Sequence, residues 1–531
     1  MPQVAEKRTQ KHIKIDRTGG AWLPIGEKES MSGKILAVML VIVLCAVAWA
    51  GQTRTVREQP VSLHPRNPHC FLFRGKAVAF ITSGEHYGAV LNADFDYRRY
   101  LTTLKSDGLN YTRLFGGSYV EVPGKSFGIL RNDLAPAPGR FIAPWARSET
   151  PDYAGGGNKF DLDRWDAEYF KRFHDFLASA SERGIIVEIS LFSSHYGDAQ
   201  WDLSPFHPGN NVNKTEAMDW KKLHTLENGN VLAHQERYTR KLVREANKFD
   251  NVVFEIQNEP WSDRPAPGGV IGTVNPFLQP PVRDRFPNVA EVADDLSLAW
   301  QTKVVEWITN EESTLPNKHL IAQNYSNFRL PIRQLLPHVS IANFHYAYPE
   351  AASWNYGLDK AISYDETGFM GRDDDSYRRQ AWNFMLSGGS IFDALDYSFS
   401  PNHEDGSDAE PNGPGGGSKA LRQQLHVLSD FLHAFNLADF HPDTQTVKHS
   451  GGTIARVLSN PGDEYGMYFD GDGPAEMTLD LPAGHYLGVW VNVRTGGTER
   501  TEDFQAAGKV IVLQSPEFKN GIALRLKRAP R

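Results

Sequence analysis

The sequence predicts an α/β fold: a closed (β/α)8 TIM barrel followed by a small C-terminal all-β sandwich. From Phe71 onward, short apolar runs rich in β-branched residues alternate with amphipathic stretches of helical period. The connections are lopsided: residues 116–162, 193–230, 261–288 and 398–418 make long loops rich in Gly, Pro and aromatics, while those on the opposite face are short. After about Asn436–Pro442 the helical pattern gives way to short alternating runs broken by turns. At 531 residues the chain exceeds what one core usually supports, so a large and a smaller domain are expected.

Taken in order, residues 1–33 are polar and basic, and Ile35–Ala50 then runs sixteen residues without a charge. That is short for a membrane span and suited to the apolar region of a signal peptide, with Lys34 before it and Ala48-Trp49-Ala50 as a small-x-small cleavage pattern before Gly51. Met31–Ala50 alone would make a complete signal peptide. The reading is therefore 1–50 as N-terminal extension and signal peptide (or uncleaved anchor), 51–442 as barrel and 443–531 as sandwich. The mature protein is expected to be secreted, periplasmic or at the cell surface, touching a membrane only if the apolar segment is kept.

Barrel strands are expected at Ala77–Thr82, Leu109–Phe115, Ile185–Phe192, from Asn251, at His319–Asn324, Ser340–Phe344, Ala361–Tyr364 and Ser390–Leu395. Helices fall between them: Asp94–Lys105 is closed by Gly108, and Asp163–Arg183 places Trp165, Tyr169, Phe173, Phe176 and Leu177 on one face before Gly184. No glycine-rich dinucleotide turn supports the doubly wound alternative. Beyond residue 443, strands are expected at Thr453–Leu458, Glu464–Phe469, Ala475–Leu481, His485–Val493, Val510–Gln514 and Ile522–Leu526, with hairpin signals at 470–473 and 495–497.

Composition narrows the function. With 40% hydrophobic and 23% charged residues and a net charge of -8, the chain is ordinary and globular. No basic block occurs in its body, which argues against a nucleic-acid partner. The two cysteines are Cys45 and Cys70; the first lies in the apolar segment, so the body has one thiol and no internal disulfide.

Two strand ends carry the chemistry. Val252–Trp261 opens as a buried strand and ends in Gln257-Asn258-Glu259 before Pro260, which cannot donate to a ladder. Ala361–Gly368 is a second apolar run delivering an acid, Glu366, to its C-terminal end. In a (β/α) barrel those tips are where catalytic groups sit. Either glutamate alone reads as a solvated or salt-bridged strand end; the pair reads as acid/base machinery.

Asn258-Glu259-Pro260 at one strand end, with Glu366 three strands later, resembles glycoside hydrolase clan A, the retaining glycosidases that include the family 5 cellulase-like enzymes. The resemblance covers roughly residues 71–438. It implies Glu259 as acid/base, Glu366 as nucleophile, Asn258 at the sugar 2-hydroxyl and Arg113 beneath the nucleophile, where a cation favours the ionised carboxylate. His345 and a tyrosine at the sixth strand end match the clan's His/Tyr pair; Tyr346 and Tyr348 are both candidates for the hydroxyl that donates to the nucleophile, with Tyr346 favoured. The eighth strand departs from family 5: it offers Phe392–Phe399 and no tryptophan platform, so stacking falls to Tyr397, Phe399 or another loop.

Further candidates for substrate contact are Glu85-His86, Ser194-His195-Tyr196, and the rim tryptophans Trp145, Trp201, Trp261 and Trp354. For each, a structural hydrogen bond or core packing is the competing reading. The acidic loop His403–Asp408 reads as a solvated face more than a calcium site. A retaining O-glycoside hydrolase that needs no cofactor or metal, with a carbohydrate as its partner, is thus expected. The alternative is a catalytically silent carbohydrate-binding or cell-surface protein on the same barrel, and a lectin has no need of paired acids.

Overall fold

In the computed structural model the described residues are 59–263, 270–271, 290–409 and 413–530. The apolar segment 35–50 with its cleavage pattern, and most of the 261–288 loop, lie outside them. Eight parallel strands form the barrel: β1 (Phe80–Gly84), β2 (Tyr111–Phe115), β3 (Ile186–Ser193), β4 (Val252–Asn258), β5 (Leu320–Asn327), β6 (Ile341–His345), β7 (Ala361–Glu366) and β8 (Ile391–Leu395). Ladders run without a break from β1 through β8 and back to β2. At the β1–β2 seam a side chain replaces the ladder: Asn110 Oδ1 accepts from the Ile81 amide and its Nδ2 donates to the Ala79 carbonyl, both at 2.9 Å.

The strand expected at Ala77–Thr82 is two strands. Lys76–Val78 pairs antiparallel with Asn67–Phe73, in a small three-stranded sheet, and the barrel strand begins only at Phe80. That sheet plugs the barrel floor. Phe71, Phe73 and Val61 pack against a ring of one residue from each strand: Phe80, Tyr111, Ile186, Val253, Ala322, Ile341, Ala361 and Ile391. The apolar end of the barrel is thereby closed, and polar chemistry is left to the other end.

The principal helices are α1 (Tyr97–Ser106), α2 (Ala167–Glu182), α3 (Val231–Ala246), α4 (Asp295–Ser313), α5 (Pro349–Ser353), α6 (Asp374–Met385) and α7 (Lys419–His433). Asp96, Asp166, Asp294, Asp373 and Ser418 cap α1, α2, α4, α6 and α7 by accepting from first-turn amides. Gly184, at φ +71°, ends α2 as expected. Residues 163–165, read as the start of that helix, belong instead to a strand, Phe160–Trp165, paired with Trp145–Arg147.

After the barrel, a six-stranded and a three-stranded antiparallel sheet enclose Met467, Phe469, Met477, Leu479, Tyr486, Trp490, Leu524 and Leu526. The strand Thr498–Ala506 escaped the sequence pattern because its residues are mostly charged or polar; an edge strand facing water needs no apolar alternation, and its ladder with Gly484–Val491 holds it. Barrel and sandwich belong to one compact unit, Glu58–Arg531. Tyr468 stacks on Trp382 at 5.2 Å, and Val491, Val493 and Ala523 join the barrel's outer core. Arg378, fully buried, donates to the Asn520 carbonyl at 2.9 Å, and Arg379 grips Asp470 at 2.7 and 3.2 Å. A chain ended at Pro442 would expose Trp382 and strip Arg378 of that acceptor, so it is expected to aggregate. Size-exclusion chromatography showing a monodisperse, cooperatively melting 59–442 fragment would refute this.

Candidate active site

Five side chains at the C-terminal rim sit on left-handed backbone: Tyr87 after β1 (φ +61°), Tyr196 after β3 (+62°), Glu259 after β4 (+47°), Phe328 after β5 (+56°) and Tyr346 after β6 (+51°). Left-handed φ is costly for residues with a Cβ, about 1–3 kcal/mol each, and persists where surrounding contacts over-determine it. At Glu259 those contacts are visible. Its amide donates to Asn324 Oδ1 at 2.7 Å, its carbonyl accepts from Ser194 Oγ at 2.6 Å, and Pro260 starts a short 3-10 turn.

The turn brings Glu259 over Glu366, the last residue of β7. One carboxylate oxygen from each, together with a His345 ring nitrogen, lie within 4.8 Å of one another. His345 Nδ1 is 2.8 Å from Glu259 Oε1 and 3.5 Å from Glu366 Oε1, so one imidazole spans the pair. Burial opposes charge on that ring, but Glu366 and Asp365 outweigh it and hold its proton well above the ordinary histidine range. Glu366 accepts from Tyr346 at 2.8 Å on one oxygen, and from Tyr87 at 3.0 Å and Arg113 at 3.2 Å on the other. Burial first, then the neighbouring glutamates, raise the phenols Tyr87, Tyr196 and Tyr346 well above their usual range, so at neutral pH they donate. Tyr196 donates to Glu259 Oε2 at 2.9 Å and accepts from Asn258 Nδ2 at 2.8 Å.

Beneath lies a buried charge layer. Arg113 donates to Glu255 at 2.6 Å and to Asn258 Oδ1 at 3.0 Å, stands 3.5 Å from Asp365 and 3.8 Å from Glu188, and lies over the Tyr87 ring at 4.5 Å. Asn343 Nδ2 ties Glu188 to Glu255 at 2.7 and 2.9 Å. The acids outnumber the cations, and Glu188 yields: burial, then Glu255 and Asp365, push it from 4.5 up to about 8. A folded pKa above the unfolded one means this group's stabilising contribution is full below pH about 4.5 and is lost as pH rises through about 8. Glu188→Gln, uncharged throughout, is expected to flatten the stability profile across that window in urea titrations.

The sequence-predicted residues divide. Glu259, Glu366, Asn258, Arg113, His345 and Tyr346 converge on one site. Tyr346, not Tyr348, reaches the nucleophile candidate; the Tyr348 amide bonds to the Phe328 carbonyl and its ring packs at Arg329. His195 is corrected: it is 1% exposed, wedged among Tyr119, Trp201 and His224, and its backbone rather than its ring is held, by Asp263 at 2.9 Å. The left-handed turn at the next residue sends Tyr196 into the site in its place. Trp261 is likewise buried, edge-on to His345 at 5.7 Å, and so supports that ring rather than offering a face to a sugar. Tyr397 stands at the end of β8, 6.4 Å from His86, with little exposed surface. His86 pairs with Glu121 at 3.0 Å beside it.

Of the rim tryptophans Trp145 and Trp201 are core, and Trp354 alone is well exposed, lying under Arg329. Asp405 and Asp408 of the acidic loop are taken by Arg99 and Arg131. Tyr87 and Asn324 went unassigned in the sequence. The available signal was an aromatic or amide just past, or within, a strand end. Among the described residues, three clusters bring donor atoms close enough for a cation: His195–His224–Asp263, Glu255–His345–Asp365 and Glu259–His345–Glu366. In the first, His224 Nδ1 and Asp263 Oδ2 are hydrogen-bonded to each other at 2.6 Å; the other two draw on the site itself.

No protein-family model matches the chain, and no curated protein does. Solved structures do. A family 5 glycoside hydrolase from Bacteroides vulgatus ATCC 8482 superposes with a TM-score of 0.55 at 12% identity, covering 88% of this chain and 93% of that one. A second structure from the same organism, provisionally described as a glycoside hydrolase, gives 0.57 at 12% identity over 90% and 83%. Another glycoside hydrolase gives 0.53 at 12% identity over 89% and 97%. At such identities the likeness is one of fold. The chain has a (β/α)8 barrel with a following β-domain, and it shares that fold with these glycoside hydrolases.

Proposed function

We propose that the protein is a retaining O-glycoside hydrolase acting outside the cytoplasm. The observation that carries this reading is the close approach of the two carboxylates, one oxygen of each lying within 4.8 Å of the other. Retaining enzymes need carboxyls about 5–5.5 Å apart, whereas inverting ones leave roughly 6.5–9.5 Å for a water. Glu366 attacks the anomeric carbon, its charge stabilised by Arg113 and by the Tyr87 and Tyr346 hydroxyls. Glu259, positioned by Tyr196 and His345, protonates the leaving oxygen, then takes a proton from the water that releases the sugar.

The test is stereochemical. On whichever glycoside is turned over, NMR of the first-formed sugar should show the substrate's own anomeric configuration. Inversion would remove Glu366 from the nucleophile's role. Tyr196→Phe is expected to lower kcat/KM by about tenfold or more, because a hydrogen bond to a charged group is lost; an unchanged value would leave Tyr196 a packing residue. The extracellular placement rests on the apolar run 35–50 and Ala48-Trp49-Ala50. N-terminal sequencing of native material is expected to begin at or near Gly51.

A further inference from the structure

A cavity of about 520 Å³ lies where the barrel rim meets the six-stranded sheet. Phe328 after β5, Tyr346 and Tyr348 after β6, and Phe369 and Met370 after β7 form one wall; α6 and the strand Ile454–Asn460 form the other. Tyr346 is common to cavity and site: it lines this space, and its hydroxyl touches Glu366. The size and the junction between two packed elements are those of a ligand pocket. Its mouth shows apolar side chains to water, Met370 at 43% and Ile454 at 54% exposed.

Two guanidinium groups enter this space, and they differ. Arg379 is neutralised by Asp470. Arg456 is half-buried, donates to Asn383 Oδ1 at 3.4 Å, and forms no ion pair among the described residues; the two lining carboxylates that act on it, Glu350 and Asp470, are held by Arg329 and Arg379. A planar cation beside an apolar wall, with its neighbouring carboxylates already engaged by other arginines, is suited to a bidentate anion.

The direction of the substrate follows from the site. A sugar over Glu366 must point its leaving oxygen at Glu259 on β4, and the far side of Glu366 is closed by Tyr87, the His86–Glu121 pair and Tyr397. The leaving group therefore departs over β5 and β6, whose ends supply the near wall of the cavity. We propose that this cavity is the leaving-group subsite, and that it selects a leaving group with an apolar or aromatic body carrying a carboxylate or similar anion read by Arg456. The C-terminal sheet then contributes specificity to the barrel. The proposal rests on the hydrolase reading above.

Saturation-transfer NMR on the full chain, with 4-hydroxybenzoate and phenol as probes, tests the pocket without knowledge of the sugar. The benzoate is expected to bind in the millimolar range and more tightly than phenol. Arg456→Leu should weaken the benzoate about tenfold while leaving phenol unchanged, and Arg456→Lys should recover part of the loss. Equal binding of the two probes, or benzoate binding indifferent to Arg456→Leu, would overturn the proposal. On a sugar the enzyme cleaves, Arg456→Leu should erase any kcat/KM preference for the 4-carboxyphenyl over the phenyl glycoside. Turnover without such a preference sinks the subsite alone. Arg456-dependent probe binding with no turnover of any glycoside would instead sink the hydrolase reading, and with it the assignment of the pocket to a leaving group.

Discussion

Glu366→Ala is expected to reduce turnover by roughly four to six orders of magnitude while the protein stays folded. The loss is large because no other carboxylate can replace it: Glu259 is the other half of the pair, and Glu255 and Asp365 are fully buried below the site. Folding should survive. Arg113 keeps Glu255 at 2.6 Å and Asp365 at 3.5 Å, so the buried cation is not orphaned, and the Tyr87 and Tyr346 hydroxyls lose an acceptor beside the vacated space. Azide should restore turnover and give a glycosyl azide of inverted configuration, because one displacement remains. The matching experiment on Glu259→Ala, with an activated leaving group, should give the retained azide. Full activity in Glu366→Ala would end its candidacy; an unfolded product by circular dichroism would make it structural.

Arg113→Met should do the greatest damage to stability, at least about 3–5 kcal/mol, the cost of leaving buried charge uncompensated. Arg113 is 1% exposed and faces Glu188, Glu255, Asp365 and Glu366. Without it, groups already pushed upward by burial, Glu188 and Asp393, have still less reason to ionise. Their folded pKa values then stand further above the unfolded ones, so the variant's stability is greatest in mild acid and drains away toward neutrality. Urea midpoints in mild acid and at neutral pH should diverge for the variant more than for the parent. A uniform loss at both would assign Arg113 a packing role.

Much of this was legible in the chain. Strand ends announce themselves through apolar runs that stop in Asn-Glu-Pro or Asp-Glu-Thr-Gly, and three of the six converging residues, Asn258, Glu259 and Glu366, stand on those two ends. What was illegible depends on direction rather than identity. Ser194-His195-Tyr196 contains the right residue, but which ring turns inward is decided by one φ angle three residues past β3. Trp261 was misread for a related reason: past Pro260 the chain coils back, so an aromatic beside the site is buried under His345 instead of facing a ligand. The charge layer left a trace that was passed over. Glu188 and Glu255 interrupt otherwise apolar strands, and a charge in a strand buried on both faces must meet a partner, here Arg113.

The left-handed residues at the rim bear on any attempt to evolve this protein toward heat resistance. Glycine relaxes such a backbone at once, and asparagine nearly so. A screen that scores only folded, soluble chains after heating should therefore enrich glycine at Tyr87, Tyr196, Glu259, Phe328 and Tyr346. Four of those five hold, or are, the paired candidate carboxylates Glu259 and Glu366. Selection for survival alone would walk the sequence toward a sturdier barrel stripped of its candidate site, so each round has to score the proposed hydrolysis alongside melting.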